Sequence, residues 1–126
     1  MNEEMQVLAR RAVACKRWRW MDGMRTQGGD RAQGRIDLGL EDSYSWDVDT
    51  SGYRLFDGAT ELPDLTDPAT LGCLLALVRE AWDDRGVYNV LRPSGIWMVF
   101  ASDGNILAGS DTEAGALVAA LYGAAP

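Results

Sequence analysis

The stretch Asp67-Pro68-Ala69-Thr70-Leu71-Gly72-Cys73-Leu74-Leu75-Ala76-Leu77-Val78-Arg79-Glu80-Ala81-Trp82 decides the fold. Asp67 is a good N-cap, because its carboxylate accepts the orphan amides of a first helical turn. Pro68 suits the first helical position, where no N–H is needed. Leu71, Leu74, Leu75, Val78 and Trp82 recur at helical spacing and make the main apolar stripe. Gly72, Cys73, Ala76 and Leu77 widen it, so the helix is predicted to be buried on most sides. Asp83-Asp84-Arg85-Gly86 ends it.

Downstream the period changes from helix to strand. Val87 to Leu91 reads as a strand, Arg92-Pro93-Ser94-Gly95 as a turn, and Ile96 to Ala101 as a strongly apolar strand. Ser102-Asp103-Gly104-Asn105 turns again into a short strand, Ile106 to Ala108. Ser110-Asp111-Thr112-Glu113 has the pattern of a capping box, followed by a helix with Ala114, Leu117, Val118 and Leu121 inward.

Upstream, Met5, Leu8, Ala9, Ala12 and Val13 follow the helical period, with Glu3 and Glu4 in the first turn and Arg10 and Arg11 nearer the end. This helix is predicted to stop near Cys15. Residues 16–21 then alternate basic and aromatic, as a strand does, with Trp18 and Trp20 on one face and Arg17 and Arg19 on the other. Asp22-Gly23 is a hairpin dipeptide, and 24–27 is a candidate return strand. Residues 28–34 read as a loop, and 35–40, 44–48 and 53–56 as further short strands. The order α-β-β-β-(β)-α-β-β-β-α implies an α+β fold. Its antiparallel sheet carries an N-terminal helix, a central buried helix and a C-terminal helix, in a single domain over residues 1–126.

Composition bounds the chemistry. The chain has no histidine, which removes the commonest general base, the commonest metal ligand and every Ser-His or Cys-His pair. Two separated cysteines, Cys15 and Cys73, make no zinc site and read as small apolar side chains, although a bridge between them stays open. No metal and no cofactor are expected, and catalysis is left only to carboxylates, with or without Mg²⁺. The longest apolar-rich run, Leu71 to Val78, is too short to span a bilayer. Met1-Asn2-Glu3-Glu4 has no basic n-region, so no secretory signal is expected.

The net charge of −7 hides an asymmetry. Residues 1–35 hold eight Lys/Arg against four Asp/Glu, whereas residues 36–126 hold four against fifteen. All the basic residues but Lys16 are arginines. GC-rich codon usage explains that, and so does the way guanidinium forks stack on planar anions. An acidic protein is a poor general nucleic-acid binder, because that affinity comes from neutralising phosphates. A local basic pocket for a small anion remains open.

Three constellations stand out, each with a plain reading beside the functional one. Arg17-Trp18-Arg19-Trp20 with Arg25 could wall a ligand, an indole stacking a purine and guanidiniums meeting phosphates. Equally, one face packs on the helices while the arginines sit in solvent. Asn89 interrupts an apolar strand beside Tyr88, with Arg92 and Trp97 near the turn. Its amide reads a base edge or simply faces solvent. Asp47, Asp49, Asp57 and Glu61 could hold a cation, but turn-forming aspartates account for them.

Residues 8–21 (Leu-Ala-Arg-Arg-Ala-Val-Ala-Cys-Lys-Arg-Trp-Arg-Trp-Met), 62–82 and 112–121 together resemble small bacteriophage and prophage proteins of the phage α-β-α sandwich type. Where those proteins carry Met-Pro-Gly-Met in the first hairpin, this chain has Met21-Asp22-Gly23-Met24, and either dipeptide serves a turn. In outline the chain is also similar to phage anti-defence sponge proteins, including the Thoeris anti-defence proteins, which bind cyclic ADP-ribose isomers or cyclic oligonucleotides as oligomers. The resemblance implies a non-catalytic, homo-oligomeric sponge for a small anionic nucleotide ligand in the cytoplasm of the infected bacterial host. Trp18, Trp20 or Trp97 would stack the base, Arg17, Arg19, Arg25 or Arg92 would hold phosphates, and Asn89 would give a hydrogen bond. The alternatives are a phage accessory protein that occludes a host protein through the acidic surface of residues 37–64, and a carboxylate nuclease.

Overall fold

The computed structural model describes residues 3–29, 44–47, 54–57 and 62–124. The chain is an α+β fold, with three helices and antiparallel strands among the described residues. Helix α1 (Glu3–Ala14) is followed by strands β1 (Tyr44–Asp47) and β2 (Arg54–Asp57), helix α2 (Pro68–Ala81), strands β3 (Tyr88–Leu91), β4 (Trp97–Phe100) and β5 (Ile106–Ser110), and helix α3 (Glu113–Gly123). Strands β1 and β2 pair with each other, Tyr44 opposite Asp57 and Asp47 opposite Arg54. Strands β3, β4 and β5 form a three-stranded meander in that order.

Helix α2 begins as its sequence dictates. Asp67 is the N-cap, and its Oδ2 accepts from the Thr70 amide and hydroxyl, both at 3.0 Å. At the other end Asp83 enters the left-handed region at φ 49°, which short polar side chains tolerate. The Asp84 carboxylate then gathers the chain that follows. Its Oδ1 accepts from the Gly86 amide at 2.9 Å, and its Oδ2 from the Ser102 amide at 2.9 Å and hydroxyl at 3.0 Å. A side chain at Gly86 has no room, because its Cβ would lie 2.5 Å from Ser102 Cβ.

Register assigns the faces of the sheet, since residues directly opposite share a face. Asn89 opposite Val99 and Leu91 opposite Trp97 lie on the helix side, where Val99 is fully buried and Trp97 packs on the core. Tyr88, Val90, Met98 and Phe100 lie on the other side. There Tyr88 stacks on Phe100 at 5.3 Å, and Tyr88, Val90 and Ile106 remain exposed.

The core is centred on α3, which packs against all three strands of the meander and against both other helices. Six of its residues are buried, among them Ala114, Ala116 and Ala120, whose small side chains permit close approach on several sides at once. Helix α2 buries Thr70, Leu74, Leu77 and Val78, while Leu71 and Leu75 are only partly covered. The start of α3 departs from the expected capping box. Thr112, not Ser110, is the N-cap, and its hydroxyl accepts from the Gly115 amide at 3.0 Å. Glu113 is thereby freed to reach across to the sheet.

Residues 16–21 correct a further expectation, because they form a turn and irregular chain, not a strand. The alternation is real, with Arg17 and Arg19 exposed and Trp18 and Trp20 partly buried against the core. Among the described residues it follows the flank of α2, and residues 16–21 pair with no described strand. Residues 24–27 likewise form no strand and contribute isolated bridging at Arg25 and Thr26, the latter with Pro63. The strand expected over 35–40 lies outside the described residues.

Candidate functional site

Residues 16–29 run antiparallel along α2. Arg19 Nη1 donates to Glu80 Oε1 at 2.5 Å, the Cys73 thiol donates to the Asp22 carbonyl at 3.4 Å, and the Arg25 amide donates to Thr70 Oγ1 at 2.8 Å. The Gln27 amide closes the run on the Leu62 carbonyl at 2.9 Å. Trp18 and Trp20 meet edge to face, with centroids 5.6 Å apart and planes at 81°. Both indoles therefore serve packing. The Arg19 hydrogen bond and charge, with Arg17 adding to it, hold the Glu80 carboxyl below its ordinary pKa. Arg19 is committed to an ion pair, although an exposed one.

The eight residues singled out from sequence therefore do not share a site. Arg17, Trp18, Arg19, Trp20 and Arg25 follow the α2 flank. Arg92 lies in the β3–β4 turn with its guanidinium 5.3 Å from the Phe100 ring, on the sheet face away from the helices. Trp97 packs inward, and Asn89 faces the helix layer.

Among the described residues, two clefts draw on this set. The first lies where α1 and α3 end together. Ala14, Cys15 and Leu121 make apolar walls, Lys16, Arg17 and Tyr122 the rim, and the volume is about 370 Å³. Tyr122 ties the helices together, its hydroxyl donating to the Arg11 carbonyl at 2.6 Å while the Arg11 guanidinium lies 4.9 Å from its ring. Lys16 and Arg17 thus bring basic side chains to the rim of an apolar hollow, with Arg11 against Tyr122 beside it.

The second cleft, about 450 Å³, lies between α2 and the β3 edge of the meander. Pro68, Leu71, Gly72 and Leu75 line it from α2, with Thr66 at one end. Asn89 and Glu113 close it, the Asn89 amide nitrogen donating to Glu113 Oε2 at 2.6 Å. The Asn89 amide thus points neither at open solvent nor at a basic group.

Sequence reasoning reached Arg17 and Asn89 but missed the residues that complete each cleft. Tyr122 and Arg11 are 111 positions apart, and Glu113 and Asn89 are 24 apart, so no local pattern joins them. Neither cysteine is in a disulfide; Cys15 is buried in the first cleft wall and Cys73 is half-buried. No group of His, Cys, Asp and Glu suited to a metal occurs among the described residues. No described helix is long and apolar enough to cross a membrane. Asp49 and Glu61 lie outside the described residues. Comparison of the chain with protein-family models, curated proteins and solved structures gave no match.

Proposed function

We propose that the protein is a non-catalytic binding module that sequesters a small anionic, nucleotide-derived ligand. Its ligand class is that of cyclic ADP-ribose isomers and cyclic oligonucleotides, and its setting is a phage-infected bacterial cytoplasm. The observation that carries this reading is the cleft at the joined ends of α1 and α3. Apolar walls of Cys15 and Leu121 suit a base, and Lys16 and Arg17 stand at the rim where phosphates would sit. Its volume of about 370 Å³ takes one nucleotide unit and leaves the rest of a larger cyclic ligand outside. A second copy covering that open side would complete the site, which is the reason to expect a homo-oligomer. Arg92 and Trp97 belong to the sheet and drop out of the ligand set.

Thermal denaturation against a panel of cyclic nucleotides tests the proposal, because a ligand that prefers the folded state raises Tm by mass action. At least one cyclic nucleotide should raise Tm, Lys16→Glu and Arg17→Glu should abolish the rise, and Arg92→Ala should keep it. No rise with any nucleotide overturns the reading. So does a rise that survives both charge reversals. Gel filtration with and without the active nucleotide checks for the oligomer.

A further inference from the structure

The cleft between α2 and β3 has the opposite chemistry to the basic one. Its floor is hydrocarbon from Pro68, Leu71 and Leu75, and its polar end is the Asn89–Glu113 pair. The side-chain donors there are largely committed. Asn89 spends one amide hydrogen on Glu113 Oε2, and the Thr66 hydroxyl donates to Asp64 Oδ1 at 2.6 Å. The acceptors are not spent in the same way, since a carboxylate has about four lone-pair sites and an amide oxygen two. No lysine or arginine is among the described residues that line the cleft. The starts of α2 and α3 bring partial positive charge, about half a unit each. Glu113, in the first turn of α3 and in the cleft lining, sets a full negative charge against them.

We propose that this cleft binds a ligand carrying a protonated amine or guanidinium on a short apolar body. The cationic head donates to Glu113 Oε1 and to Asn89 Oδ1, which the Asn89–Glu113 hydrogen bond holds side by side. The hydrocarbon body lies along Leu71 and Leu75. An anionic ligand would meet a carboxylate with no counter-ion among the described lining residues. The site is therefore distinct in charge and place from the cleft of Lys16 and Arg17.

Gly72 makes the proposal testable without disturbing the fold. It lies in the cleft wall, and a Cβ built on it meets nothing within 4 Å. Glycine is a poorer helix former than leucine or alanine, so a larger side chain at this mid-helix position should fill the cleft without unfolding α2. Gly72→Leu is thus a plug.

The experiment is an NMR titration of the Asn89 side-chain amide and the Gly72 backbone amide with benzylamine, and with benzoate and benzyl alcohol as isosteric controls. Benzylamine should shift both signals saturably, and the controls should not. Glu113→Gln should weaken binding by about tenfold or more, the loss expected when a charge-assisted hydrogen bond is replaced by a neutral one. Gly72→Leu, folded by its amide spectrum, should abolish the shifts. Absence of a saturable shift with benzylamine overturns the proposal, as does equal binding of benzoate. Full retention of binding in Gly72→Leu overturns the assignment to this cleft.

Discussion

Residues 16–29 are held to α2 by scattered contacts, whereas residues 88–110 close a ladder of paired strands on α3, with one register shift between Val99 and Phe100. The two indoles show the difference at atomic scale. Trp82 Nε1 donates to the Ala120 carbonyl at 2.8 Å and so joins α2 to α3. Trp18 Nε1 is buried and finds no hydrogen-bond partner among the described residues. A buried N–H without a partner forfeits its hydration for nothing, which costs about 1–3 kcal/mol. The N-terminal segment thus tolerates a defect that the α3-centred half does not contain at Trp82. Packing against a helix flank can fix a chain's path while leaving its polar groups imperfectly matched.

The largest effects should come from removing buried volume in each region. Leu117 and Met24 are both fully buried, Leu117 inside α3 and Met24 in the irregular segment. Truncation of such residues to alanine costs about 2–5 kcal/mol, depending on how far the surroundings collapse. Leu117→Ala should fall at the upper end, because α3 is wedged among strands and helices that cannot all close in. Met24→Ala should fall at the lower end, because a chain held by turns can settle into the void. Urea denaturation gives both values, and equal losses would erase the distinction drawn between the regions.

The indoles give the next effect. Trp82→Phe and Trp18→Phe remove the same ring volume, but only the first breaks a hydrogen bond. Trp82→Phe should therefore be the more destabilising by about 1–3 kcal/mol, the cost of leaving a buried carbonyl unpaired together with the relief of the unmatched Trp18 N–H. A smaller step is Thr112→Ala, which removes the α3 cap to Gly115 and should cost about 1 kcal/mol. Gly115→Ala attacks the same place from the other side, since its Cβ would meet the hydroxyls of Ser110 and Thr112. Losses under a few tenths of a kcal/mol for both would show that the cap does not hold α3 in place.

The same contrast governs what could be read from residues alone. Helices α1, α2 and α3 and strands β3 to β5 were legible because their periodicity, caps and turn glycines agree with one another. Residues 16–21 misled because alternation records two environments, and a strand is only one way to create them. Thr112 took the cap expected of Ser110 because β5 extends through Ser110, a consequence of pairing with Trp97. The clefts were half legible. Arg17 and Asn89 announce themselves by breaking local patterns, but Tyr122, Lys16 and Glu113 acquire their roles only when distant elements meet.

The smallest predicted effects are electrostatic, and they divide along the same line. Glu80 secures the N-terminal segment through Arg19, and Asp84 joins the α2–β3 connection at Gly86 to the β4–β5 turn at Ser102. Both carboxyls have a folded pKa below the ordinary value, Glu80 through the Arg19 hydrogen bond and Asp84 through the Ser102 and Gly86 amides. A lowered folded pKa means the ionised form favours the fold. The contribution is present above the ordinary carboxylate value and is lost as pH falls through the folded one. Arg19→Ala should cost about 0–1 kcal/mol at neutral pH, and less in high salt, because both partners are largely exposed. Asp84→Asn should lower Tm at neutral pH with little salt dependence, since its partners are uncharged amides and a hydroxyl. Toward acid pH each variant should converge on the parent protein. Thermal melts across pH and salt separate the two cases, and a salt-sensitive Asp84→Asn would show that its carboxylate acts through charge partners instead.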